Sequence, residues 1–175
     1  SGLVGSEMCI RDRAWSCGST YYDNSTSWLY QCWGIMTVIN MDSLTGHNIV
    51  DLEDRDEMMS DLADLHARTP MRTHTVGGNR HILMMFETAA KFNCDMIVMY
   101  DDIGCKGMAG CQGLLEEEFR KHPEFHIMWM PHALMDCRTV PTAEARKVVN
   151  DYMTTVLHEE PVDPSLVDFD DSEGW

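Results

Sequence analysis

Cys105 stands in a Gly104-Cys105-Lys106-Gly107 turn, directly after the apolar run Asp95-Met96-Ile97-Val98-Met99-Tyr100 and the acidic pair Asp101-Asp102. A thiol at a helix start beside a lysine is biased toward thiolate, the form that metals and electrophiles take. The flanking glycines permit the positive φ of a tight turn. A metal ligand and a nucleophile fit this chemistry equally. The same residue also reads as a small apolar side chain packed under the turn.

Other groups offer less. Cys94, Cys105, Cys111 and Cys137 supply enough thiols for a zinc or iron–sulfur site, but their spacing argues against one. Cys94 precedes a strand and belongs at the opposite end of the sheet from Cys105. Cys105 and Cys111 are too far apart along a helix to converge as a CxxC pair does. His74 and His132 fall in expected loops without a nearby partner. Asp101 and Asp102 are adjacent at a strand end, where neighbours face opposite ways, so a shared acid–base role is not expected. Gly77-Gly78 lacks both the dinucleotide and the Walker patterns. Arg80, shortly after it, reads as an anion-holding cation or a solvated side chain.

Alternating strands and helices must position these groups. Residues 34–41 form an apolar, β-branched run opened by Gly34, and residues 24–33 suggest a short helix before it. Residues 53–68 set Met58, Leu62 and Leu65 on one helical face, stopped by Pro70. Ile82, Met85, Phe86, Ala89 and Ala90 fall at helical spacing. The run 95–100 is continuously apolar, as in a parallel strand covered on both faces. Residues 114–121 read as a helix, 125–130 as a strand ended by Pro131. After Pro141, an apolar stripe runs through Ala145, Val148, Val149, Tyr152, Met153 and Val156. The expected fold is α/β: a three-layer, doubly wound, mostly parallel sheet of the Rossmann-like or flavodoxin-like kind. In such sheets ligands bind beyond the carboxyl ends of the strands, where Cys105 falls.

The charge of −16 over 175 residues argues against nucleic acid and anionic membranes as partners. No apolar run approaches the roughly 20 residues of a spanning helix. Seven irregularly spaced cysteines do not resemble a secreted disulfide framework, so a reducing cytoplasm is expected. The 15 methionines read as core filler. Residues 158–175 are acidic and Pro-interrupted, which predicts a disordered tail. At the other end, Leu3-Val4-Gly5-Ser6-Glu7-Met8-Cys9-Ile10-Arg11-Asp12 resembles the translated read-through of a transposase adapter used in preparing sequencing libraries. Residues 1–13 are therefore set aside as an artefact. The natural chain is expected to begin near Ala14, having lost an N-terminal part.

The strand at 95–100, the Gly104-Cys105-Lys106 turn followed by Gly110, the strand at 127–130, and Asp136 before the helix at 146–152 resemble the 2-hydroxyacyl-CoA dehydratase and benzoyl-CoA reductase family. The likeness covers residues 28–157, corresponding to the C-terminal α/β domain of one subunit, which makes residues 14–157 that domain here. It implies a [4Fe–4S] cluster held between two domains, with one of three cysteine ligands from this one. That position matches Cys105. It further implies an acyl-CoA substrate, a sister subunit in a heterodimer, and an ATP-dependent activator delivering single low-potential electrons. Arg80 stands near a family arginine, and with Lys106 it is a candidate for substrate binding. Pro131-His132-Ala133 departs from the acidic residues the family often carries after its last strand. Cys17 and Cys32 are not assigned as ligands.

A non-enzymatic α/β module is the competing reading. Asp101-Asp102 at a strand end invites a receiver-like domain, yet the last strand lacks the lysine a receiver needs. The Asp-x-His-x-x-Gly run of a cobalamin-binding domain is absent.

Overall fold

A computed structural model of the chain describes residues 12–17, 24–41, 49–67, 80–133, 136 and 138–169. The element order is β1 (Asp12–Cys17), α1 (Ser25–Trp28, continuing as a π-helical turn over Leu29–Trp33), β2 (Ile35–Asn40), α2 (Arg55–Ala67), α3 (Arg80–Lys91), β3 (Met96–Asp102), α4 (Lys106–Phe119), β4 (His126–His132) and α5 (Thr142–Thr155). A short 3-10 turn follows at Pro164–Leu166. Among the described residues the strands form one four-stranded sheet in the order β2-β1-β3-β4, and every neighbouring pair is parallel.

Alternate residues of β3 and β4 feed two cores. Met96, Val98, Tyr100, Met128 and Met130 pack with Trp28, Leu29, Trp33, Val149 and Met153 from α1 and α5. Ile97 and Met99 face the other way, onto Ile82, Met85, Phe86 and Ala89 of α3 and onto Leu115 and Phe119 of α4. A strand puts successive side chains on opposite faces, so β3 is covered on both sides. This is an α/β fold built on a small parallel sheet. The methionines behave as filler: Met85, Met96, Met99, Met128, Met130 and Met153 are all buried.

Local chemistry sets the element ends. Gly34 takes φ 75° to close the turn of α1 and release the chain into β2. Asp54 accepts from the amides of Asp56 and Glu57 and so opens α2. The expected α2 face of Met58, Leu62 and Leu65 is the more covered one, yet no residue of that helix is buried. In α5, Ala145, Val149 and Met153 are buried while Val148 and Val156 are exposed, so the stripe is narrower than the pattern implied. Ala90 is likewise exposed on α3. Pro70 and Gly77-Gly78 lie outside the described residues.

Four features differ from expectation. Periodicity does not predict β1; among its described side chains the buried ones are the small Ala14 and Ser16, which leave little apolar signal. Its first two residues, Asp12 and Arg13, fall in the segment set aside as adapter-like, and they pair with Ile35 and Met36. Helix α4 begins at Lys106 rather than at 114, since Gly107, Gly110 and Gly113 dilute the pattern of its first turns. Strand β4 does not end at Pro131 but runs on to His132. It is an edge strand, where a residue without an N–H is tolerated.

The fourth difference is the tail. Residues 158–169, expected as part of a disordered tail, lie against α1 and α5. Leu166 and Val167 pack on the α1/α5 core. The Trp28 indole donates to the Leu166 carbonyl at 2.8 Å, the Asn150 amide donates to the Val167 carbonyl at 3.1 Å, and the Val162 N–H donates to the Cys32 carbonyl at 2.7 Å. These contacts use backbone groups of the segment, so its acidic side chains need not be buried. Residues 170–175 lie outside the described residues. Among the described residues, no helix is long and apolar enough to cross a membrane.

Candidate functional site

The carboxyl ends of the strands gather the candidate groups. In the order β2-β1-β3-β4, the chain runs outward from β1 in both directions, and the crevice for ligands in such sheets opens where that direction changes. Strand β3 borders that point and ends in Asp101 and Asp102, both half-buried. The turn that follows carries Ile103, Gly104 and Cys105 before α4 begins at Lys106.

Three main-chain bonds shape the turn. The Cys105 N–H donates to the Asp102 carbonyl at 2.9 Å, and the Ile103 N–H donates to the His132 carbonyl at the end of β4 at 3.1 Å. The Cys105 carbonyl accepts from the Ala109 N–H at 3.1 Å, so Cys105 is the residue that caps α4. From its side chain, Asp102 also accepts the Gly104 N–H at 3.0 Å. Cys105 is half-buried, and its covered part packs on the α3/α4 core. The thiol thus meets both core and solvent, which combines the apolar-packing reading with access for a ligand.

Of the expected site residues, Lys106 is exposed on the first turn of α4 beside Cys105. Arg80 is the first residue of α3. Since α3 delivers the chain into the start of β3, its head points to the carboxyl edge, on the same sheet face as α4. The Arg80 side chain lies outside the described residues. Cys94 is buried just before β3, at the far end from Cys105, as the spacing required. Cys111 is half-buried in α4. His132, expected in a loop, is instead 2% exposed at the end of β4, edge-on to Tyr100. His74 and Cys137 lie outside the described residues.

Electrostatics separate the remaining groups. Asp136 accepts from the Arg138 guanidinium at 2.8 and 2.7 Å and from its N–H at 3.0 Å, which holds its carboxyl down to about 2. Cys32 is fully buried against the tail segment, its thiol donating to the Asp163 carbonyl at 3.8 Å. Burial, aided by the nearby Asp163 carboxylate and partly offset by Arg146, pushes that thiol up to about 11. Cys32 is therefore a neutral packing residue.

Among the described residues, no three His, Cys, Asp or Glu side chains gather as a metal site. Cys105 is half-buried at the head of α4, and no second described thiol stands beside it as part of such a group. Sequence reasoning missed Asp102 and the His132 carbonyl as supports of the turn. An aspartate two residues before a glycine is the usual signal of a side-chain-closed turn and would have found the first. Comparisons with protein-family models, curated proteins and solved structures gave no match to this chain.

Proposed function

We propose that this chain is the C-terminal α/β domain of an iron–sulfur subunit of the 2-hydroxyacyl-CoA dehydratase and benzoyl-CoA reductase type, with Cys105 as its one ligand to a shared [4Fe–4S] cluster. The supporting observation is the position of Cys105: a half-buried thiol at the head of α4, on the carboxyl side of β3. Helices packed on both faces of a parallel sheet agree with the doubly wound, three-layer form this reading requires. Such a cluster, when bound, supplies single low-potential electrons for dehydrating a 2-hydroxyacyl-CoA or reducing an aromatic acyl-CoA ring.

This chain's own contribution is narrower. The Cys105 sulfur, at the head of α4, would hold one corner of the cluster. Lys106, with Arg80 heading the neighbouring helix, provides cations for the anionic parts of an acyl-CoA. The remaining ligands belong to an N-terminal domain, and the electron comes from an ATP-dependent activator. The isolated domain, with a single ligand, is inactive.

A receiver-like or cobalamin-binding module is the runner-up, invited by Asp101 and Asp102 at the end of β3. Asp102 is already committed to the Gly104 amide, which weakens that case. The readings part on one preparation. Joined to the N-terminal domain this reading requires and prepared without oxygen, the protein is expected to be brown and to hold about four irons per chain. A colourless, iron-free full-length protein would overturn the proposal.

A further inference from the structure

Asp102 makes two bonds to the turn that carries Cys105. Its Oδ1 accepts the Gly104 N–H at 3.0 Å, and its carbonyl accepts the Cys105 N–H at 2.9 Å. The carboxylate lies close over the glycine, since a Cβ there would sit 3.4 Å from Oδ1. A second strut comes from the neighbouring strand, where the His132 carbonyl holds the Ile103 N–H at 3.1 Å. That strut exists because β4 continues past Pro131. The main-chain bonds tie the turn to two strands, and among the described residues the side chain that reaches Gly104, immediately before the thiol, is that of Asp102.

We infer that Asp102 is a positioning residue, whose carboxylate closes the turn over Gly104 and fixes Cys105 at the head of α4. Its importance for chemistry rests on the ligand role proposed for Cys105; the clamp itself does not. Asp101 and Asp102 then differ in role, since Oδ1 of Asp102 is engaged by the turn. An oxygen that accepts a backbone N–H two residues on forms the side-chain turn that aspartate and asparagine share. Alanine cannot form it. With the clamp lost, the turn opens more often, and Cys105 leaves the α3/α4 core against which it packs.

The test is peptide-resolved alkylation of Cys105 by iodoacetamide in the reduced, metal-free full chain at one fixed pH. Asp102→Ala and Asp102→Asn both remove the charge, but only asparagine retains an acceptor for the Gly104 amide. Cys105 is expected to react about fivefold faster in Asp102→Ala than in Asp102→Asn, the factor that one net hydrogen bond gives. Cys111 should react alike in both. Hydrogen exchange supplies the second readout: the Gly104 amide is protected in the wild type and in Asp102→Asn, and loses protection in Asp102→Ala.

Equal Cys105 rates in the two variants would overturn the inference. So would a wild-type Gly104 amide exchanging as freely as unstructured chain, a result that stands even if Asp102→Ala does not fold. Neither readout uses iron. A clamped Cys105 in an iron-free full-length protein defeats the proposed function alone, and full iron with equal alkylation rates defeats the clamp alone.

Discussion

The indole N–H of Trp28 donates to the carbonyl of Leu166 at 2.8 Å, joining residues 138 positions apart. Around that bond, α1 and α5 grip the segment after α5 by its main chain. Asn150 donates to Val167, Arg146 donates to Phe169, and the carbonyl of Cys32 receives the Val162 N–H. Arg146 is itself buried, with its guanidinium 5.1 Å from the centre of the Trp28 ring.

This grip predicts that residues 158–169 contribute to stability. Trp28→Phe removes one hydrogen bond, worth about 1 kcal/mol, and should lower the thermal midpoint by about 2–4 °C. A chain ending at residue 157 loses every one of these bonds and uncovers part of the α1/α5 core, so its midpoint should fall further. Thermal unfolding followed by circular dichroism measures both. An unchanged midpoint in the shortened chain would return the segment to the status of a tail.

The methionines divide by position. Met128 is fully buried between the sheet and α5, so Met128→Ala should cost about 2–5 kcal/mol. Met59 is 57% exposed on α2, and Met59→Ala should stay within about 0.5 kcal/mol. Denaturant titration of the two variants gives the comparison. Similar losses at both sites would mean that the core described here is not the one that folds.

Cys32 predicts an alkaline signature. Its thiol is shifted from 9.0 to about 11 in the folded chain, chiefly by burial. Below about pH 9 both folded and unfolded chains hold the proton, and the group has no pH-dependent effect. Above that, the unfolded chain releases its proton first, so stability falls as pH rises toward the folded value. Cys32→Ala abolishes this contribution. The stability advantage of wild type over Cys32→Ala should therefore shrink between pH 9 and 11. A constant difference across that window would contradict the burial of the thiol.

What the sequence made legible depended on where apolar residues concentrate. Strand β3 reads clearly because its core residues are large and continuous, and α5 because Ala145, Val149 and Met153 keep helical spacing. Strand β1, which lies between β2 and β3, was hidden because the residues seen to be buried there, Ala14 and Ser16, are small and leave little apolar signal. The tail segment was hidden for a different reason. Composition reports side chains, and this segment is held largely through its carbonyls and amides. At the candidate site, the thiol and its place after β3 were visible in the residues. The clamp was not, because it joins Asp102 to Gly104 and Ile103 to His132, and the second of these depends on β4 crossing a proline.

The cluster ligation proposed for Cys105 is tested most directly by comparing Cys105→Ala with Cys111→Ala in the chain joined to the N-terminal domain that the proposal requires, prepared without oxygen. Both thiols are half-buried near α4, but only Cys105 caps it at the carboxyl edge of the sheet. Cys105→Ala is predicted to lose the visible absorbance and bound iron of the cluster, while Cys111→Ala keeps both. Full iron occupancy in Cys105→Ala would show that Cys105 is not a ligand.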